Sequence, residues 1–169
     1  MPDQSDLAFI SAVDALAEFS AGRLSPVELM EAVLTVEDTD GALTQVYAEE
    51  AMEAARAAEQ AWFNGSARAL EGLPIAVKED KGVTGKPTSA GSQVFADSIA
   101  GADAPPVAAM RAAGGIFHAR TNVPDMGSAG ITGSLRYPPT KNPYNPTFNS
   151  LGSSGGAAAA LAKGLATLA

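Results

Sequence analysis

The stretch Gly72-Leu-Pro-Ile-Ala-Val-Lys-Glu-Asp80 (GLPIAVKED) decides the fold class. Gly-Leu-Pro opens a short apolar run that is too brief for a helix, and LPIAVK reads as a buried strand. The chain changes character here. Upstream, the first seventy residues read as helices. Ser11 and Asp14 in SAVD form a capping pattern before ALAEFSAG, which closes on Gly22. SPVELMEAVLTVED begins with Ser25 as cap, Pro26 at the first helical position and Glu28 three residues after the cap. Leu29, Val33 and Leu34 then share one face of that helix. YAEEAMEAARAAEQAWFNG, rich in Ala and Glu, predicts a third helix ending at Asn64-Gly65.

Downstream, TGKPTSAGS is loop, and DAPPVAAMRAAGG predicts a helix that starts near the prolines and ends at Gly114-Gly115. IFHART is a second strand. NVPDMGSAGITGS is a glycine-rich loop or short helix, RYPPTKNPYNPTFNS a long irregular connection, and a last helix runs from about Ala157. Strand, helix, strand and then a glycine-rich turn into a helix predict the α/β class, with crossovers over a sheet. No internal repeat or linker composition divides the 169 residues, so a single domain is expected, helical over 1–70 and sheet-building over 71–169.

Composition narrows the function. At 46% hydrophobic and 18% charged the chain is globular. A net charge of −8 argues against nucleic acid or an anionic membrane as partner. With no cysteine there is no disulfide, thiolate metal site or cysteine nucleophile, and His118, the one histidine, cannot build a histidine-rich metal site. The N-terminal MPDQSDLAFISAVDAL has no basic segment or long apolar core, so it is not read as a signal sequence. No run reaches membrane-span length. The expected location is cytoplasmic.

Two anomalies carry the chemistry. Lys78 ends an apolar strand. It is either a strand-end lysine that snorkels to the surface, or a lysine in a dry site that can serve as a base near neutral pH. Glu79 and Asp80 follow immediately and could equally be its solvated neighbours. The second anomaly is GSSGG, Gly152 to Gly156, at the mouth of an alanine-rich helix. Glycines on both sides let the turn bring Ser153 or Ser154 close to another backbone. The turn can be a flexible loop with a serine cap, or an anion-binding turn at a helix N-terminus. It has neither the Lys-Ser/Thr of a phosphate-binding loop nor a G-x-G-x-x-G. His118 suggests a serine–histidine–acid triad, but the G-x-S-x-G elbow is missing, and a lone histidine in a strand reads as a packed or edge residue.

Taken in order, GLPIAVKED, TSAGS, DAPPVAAMRAAGGIFHARTNVPDMG and PTKNPYNPTFNSLGSSGGAAAALAKG resemble the amidase signature family, as does LSPVELMEAVL near the N-terminus. The resemblance covers essentially the whole chain. It implies the N-terminal portion of an amidase domain, without metal or cofactor, that hydrolyses a carboxylic amide to acid and ammonia or amine through a serine acyl-enzyme. On that resemblance Lys78 and Ser153 match two members of a Ser–cis-Ser–Lys triad, with a cis peptide bond at Ser153. Ser154 would support them by hydrogen bonding, and Gly127 and Ser128, in DMGSAG, would line the acyl pocket.

The chain departs from the family pattern in several places. Leu151 stands where the family has a glycine, Arg120 replaces a lysine, Asp125 replaces a glutamate, and Glu79 intervenes between Lys78 and Asp80. The family's nucleophilic serine lies in a later G-T-D-x-G-G-S type segment, and no serine follows Ser154 here. The nucleophile is therefore expected beyond these residues, the 169 residues alone are expected to be inactive, and the last apolar helix is expected to lack a cover. A small-molecule amide is the expected ligand. Four further possibilities stay open: a second chain carrying the nucleophile, a homo-oligomer, one chain of a glutamine-hydrolysing amidotransferase, and a non-catalytic module with a relic site.

Overall fold

The structure is a computed structural model that describes residues 4–169, with side chains from residue 6 onward. The first three residues, part of the N-terminal stretch weighed above for a signal sequence, lie outside the described residues. Helices α1 (Gln4–Leu7), α2 (Ala12–Ser20) and α3 (Pro26–Thr35) lead into strand β1 (Leu43–Val46), and helix α4 (Ala48–Phe63) follows. Then come β2 (Pro74–Lys78), α5 (Pro105–Ala112), β3 (Ile116–Thr121) and α6 (Gly155–Ala162), with a short 3-10 turn at Asp125–Gly127.

The caps form as their residue types require. Ser11 Oγ accepts from the Asp14 amide, and Ser25 and Glu28 close a reciprocal box, each side chain taking the other's backbone N–H. Phe19 from α2 and Leu29 and Val33 from α3 are buried around Leu73, with Trp62 of α4 packed against them. Burying each of these large side chains stabilises the fold by about 1.5–3 kcal/mol.

β2 and β3 run parallel, joined by the crossover through α5 that such a pair requires, and β1 adds antiparallel to the other edge of β3. The order is β1-β3-β2, a mixed sheet. β1 corrects the expectation of an all-helical first seventy residues. Only four residues long, it carries a register shift between Leu43 and Gln45, and its partners Ala119, Arg120 and Thr121 lie far along the chain in β3.

Side chains of β2 alternate between the two faces. Ile75 and Val77 pack with Val83 and with Val107 of α5. Ala76 packs with Ala119 and Ala166 on the opposite face. Period-two alternation puts Lys78 on the same face as Ala76. α6 is not left without a cover: Ala159 and Ala160 are buried with Ala42 and Leu165, although Leu161 is partly exposed. It also starts two residues before the expected Ala157. His118 is a packed strand residue whose ring Nε2–H donates to the Leu165 carbonyl at 2.8 Å, and burial pushes its pKa below the ordinary value. No helix among the described residues is long and apolar enough to cross a membrane.

Candidate active site

Lys78 ends β2 on the α6 side of the sheet, and Ser153 lies just before the first turn of α6. Lys78 Nζ donates to Ser153 Oγ at 3.0 Å. The lysine side chain keeps 16% of its surface exposed, so it neither snorkels freely nor lies sealed in the core. The Gly152–Ser153 peptide bond is cis, as the resemblance implied.

The glycines beside the serine pair let three pieces of backbone converge. A Cβ at Gly152 would lie 2.8 Å from the Ala129 carbonyl oxygen, so the turn sits directly on the 129–131 segment. A Cβ at Gly156 would lie 2.5 Å from the Asn122 amide nitrogen and 2.8 Å from the Ala42 oxygen, so α6 is seated against the end of β3. The first amide of α6 is occupied from within, since Gly155 N–H donates to the buried Thr132 Oγ1 at 2.9 Å. That bond removes one of the donors an anion-binding turn would offer.

The residues after Lys78 depart most from the sequence reading. Glu79 is a fully buried carboxylate, not a solvated neighbour. Its Oε1 accepts from the Ser89 amide and hydroxyl, each at 2.7 Å, and its Oε2 accepts from the Gly91 amide at 3.1 Å. These bonds satisfy the buried charge and fix the TSAGS loop beside the end of β2. The Ala90 carbonyl in that loop accepts from the Met126 amide, which ties it to the Asp125–Gly127 turn.

Asp80 is also largely buried. Its Oδ2 lies 3.7 Å from Lys78 Nζ and 3.1 Å from Lys81 Nζ. Arg120 is buried under the same turn, and its Nη2 donates to the Glu79 carbonyl at 2.9 Å and to the Lys81 carbonyl at 2.6 Å. Burial lowers the Arg120 pKa from its ordinary value, while Tyr47, Glu79, Asp80 and Tyr137 act in the opposite direction.

The remaining expected residues sit nearby with looser roles. A Cβ at Gly127 would lie 3.1 Å from Asp80 Oδ2, which brings the DMGSAG turn to the Lys78 side of the site. Ser128 is exposed, and its hydroxyl donates back to the Asp125 carbonyl at 3.1 Å. Ser154 is exposed at the start of α6, and its hydroxyl makes no hydrogen bond among the described residues. The supporting bond expected of it is therefore not formed here. Glu79, Asp80 and Arg120 were missed as site residues: the partners of Glu79 and Arg120 lie far along the chain, and Asp80 reaches Lys78 only through the fold of the turn after β2.

A lysine Nζ in hydrogen-bond contact with a serine hydroxyl, flanked by a carboxylate, is a base–hydroxyl pair suited to proton transfer. The comparison with known sequences places the chain in a family. The Amidase family model matches residues 28–169. The chain belongs to the amidase family. Among amidase relatives, an indoleacetamide hydrolase from Bradyrhizobium diazoefficiens is 37% identical, the match covering 94% of this chain and 31% of that protein. A glutamyl-tRNA(Gln) amidotransferase subunit from Chromohalobacter salexigens is 39% identical over 88% of this chain and 32% of its own. The structure of a bacterial aryl acylamidase of the amidase signature family superposes with a TM-score of 0.88 at 29% identity, covering 96% of this chain and 35% of that one. The chain thus spans about a third of the length of these amidase relatives.

Proposed function

We propose that these residues form the base-carrying part of an amidohydrolase that cleaves a carboxylic amide through a serine acyl-enzyme. The observation that carries the reading is the 3.0 Å contact from Lys78 Nζ to Ser153 Oγ, within a chain of the amidase family. In this reading Lys78, in its neutral form, takes the proton of Ser153, and Ser153 takes the proton of the nucleophilic serine. The nucleophile's oxygen bonds to the amide carbonyl carbon. The proton then returns along the same path to the leaving nitrogen as the C–N bond breaks, and water releases the acid by the same relay.

The nucleophile is proposed to lie in residues that follow Ala169, or on a second chain. Leu168 bridges Ile75 in parallel beside β2. Chain continuing in that register reaches the level of Lys78 about three residues later, since parallel strands advance in step. Gly127 and Ser128 are proposed to border the acyl group, and Ser154 to act with Ser153 only if its hydroxyl turns towards it. The proposed ligand is a small-molecule amide.

The test is hydrolysis of a panel of simple amides by the complete polypeptide. Lys78→Ala and Ser153→Ala are each expected to lower turnover by roughly a hundredfold or more while the melting temperature holds. Near-normal turnover in either variant overturns the assignment. A second reading, that the complete protein supplies ammonia from glutamine to a partner, is favoured by the likeness to the amidotransferase protein. It predicts glutaminase activity and a co-purifying second chain.

A further inference from the structure

We infer that Asp80 is the positioning residue for Lys78, a carboxylate that keeps the amine aimed at Ser153 and stabilises the ammonium formed during proton transfer. The inference rests on the reading of Lys78 as the base. A lysine side chain is a flexible four-carbon stem, and a base of this kind needs a third group to orient it. The backbone supplies that group through a tight turn. The Lys81 amide donates to the Lys78 carbonyl at 2.9 Å, which folds Asp80 back beside the lysine it follows. Asp80 Oδ2 then stands 3.7 Å from Nζ, too long for a hydrogen bond but within range of a charge–charge interaction.

Three further observations separate this from a surface ion pair. Arg120 Nη2 holds the carbonyls on both sides of Asp80, so the turn is fixed from beneath by a buried cation. Asp80 Oδ1 is buried without a hydrogen-bond partner among the described residues, while Oδ2 accepts from the half-exposed Lys81 Nζ at 3.1 Å and faces Lys78 on its other side. Gly127 leaves room for the same carboxylate on the side of the proposed acyl pocket.

The charges fit the task. Lys78 gains a proton from Ser153 and later returns it, and Asp80 neither takes nor gives one. The carboxylate favours the transient ammonium, as the third member of a triad favours the charged base. Lys81 and Arg120 share its field, which divides the attraction among three cations. Glu79 points away, into the TSAGS loop.

The experiment uses the complete polypeptide and an alkyl fluorophosphonate, which labels an activated serine without requiring a known substrate. The limiting labelling rate and the half-saturating probe concentration are measured separately, together with the melting temperature. Asp80→Ala is expected to lower the limiting rate about tenfold or more at unchanged half-saturation and melting temperature, as misplacement of a reacting group does. Asp80→Glu is expected to restore part of that rate. Asp80→Asn keeps the shape and serves if the alanine variant fails to fold; it too is expected to label slowly. An unchanged limiting rate in a folded Asp80 variant overturns the inference. So does a rate loss in Asp80→Ala that only tracks a lowered melting temperature and is not relieved by Asp80→Glu. Lys78→Ala in parallel keeps the two readings apart. If it labels at the wild-type rate, the base assignment itself fails. If it is inert and Asp80→Ala labels normally, the failure belongs to Asp80 alone.

Discussion

Among the described residues, three other than glycine adopt left-handed backbone angles: Ala90 and Met126, each at φ 52°, and Leu151 at φ 60°. All three lie in loops around Lys78 and Ser153. Each costs roughly 1–2 kcal/mol relative to glycine, because its Cβ crowds the following carbonyl. Leu151 gains little packing in return, being 66% exposed. Leu151→Gly is therefore expected to stabilise the protein by about 1 kcal/mol, less the extra freedom glycine gives the unfolded chain. An unchanged or lowered urea midpoint would show that the leucine side chain has a partner worth keeping. His118 offers a second test at this scale. Its folded pKa is depressed by burial, so the unfolded chain binds the proton more readily. Stability should fall as pH drops through the ordinary histidine range near about 6.5. Denaturation of the wild type and of His118→Gln, each at pH about 7.5 and about 5.5, should give a smaller loss for the variant. Equal losses would assign the pH dependence to carboxylates.

Among elements, what the sequence revealed depended on how local the cause was. Ser25, Pro26 and Glu28 determine the start of α3 within four positions, and the helix begins there. The glycine-framed serines and the lysine at the end of an apolar strand were visible as anomalies because each violates its own neighbourhood. β1 was not visible, since Leu43 pairs with Thr121 and nothing within LTQV signals a partner so far away. Glu79 was misread for the same reason: the donors that let it be buried come from Ser89 and Gly91. α6 began earlier than its alanines suggested because Thr132 caps the Gly155 amide from outside the segment. The seating of α6 can be tested directly. In Gly156→Ala the new Cβ meets backbone at Asn122 and Ala42, which cannot swing aside as a side chain would. The expected cost is about 3 kcal/mol, with Ser153 displaced from Lys78. A variant with wild-type stability would mean that α6 can shift without losing its place on the sheet.

At the scale of the whole molecule, the strand order β1-β3-β2 has a consequence for how the protein is made. The middle strand is the last of the three to be synthesised, so neither edge strand has a neighbour until Thr121 has left the ribosome. The helices face no such delay: Ala15, Phe19, Leu29 and Val33 find one another, and Leu73, within the first half of the chain. Contacts close in sequence form faster than distant pairings, because less chain must be ordered to reach them. Pulse-labelled hydrogen exchange during refolding should therefore find α2 and α3 protected before any strand amide, and simultaneous protection would contradict this order. A growing polypeptide would then pass through a stage with a folded helical head and two waiting strands, and its lysine would meet its serine only after both were already in place.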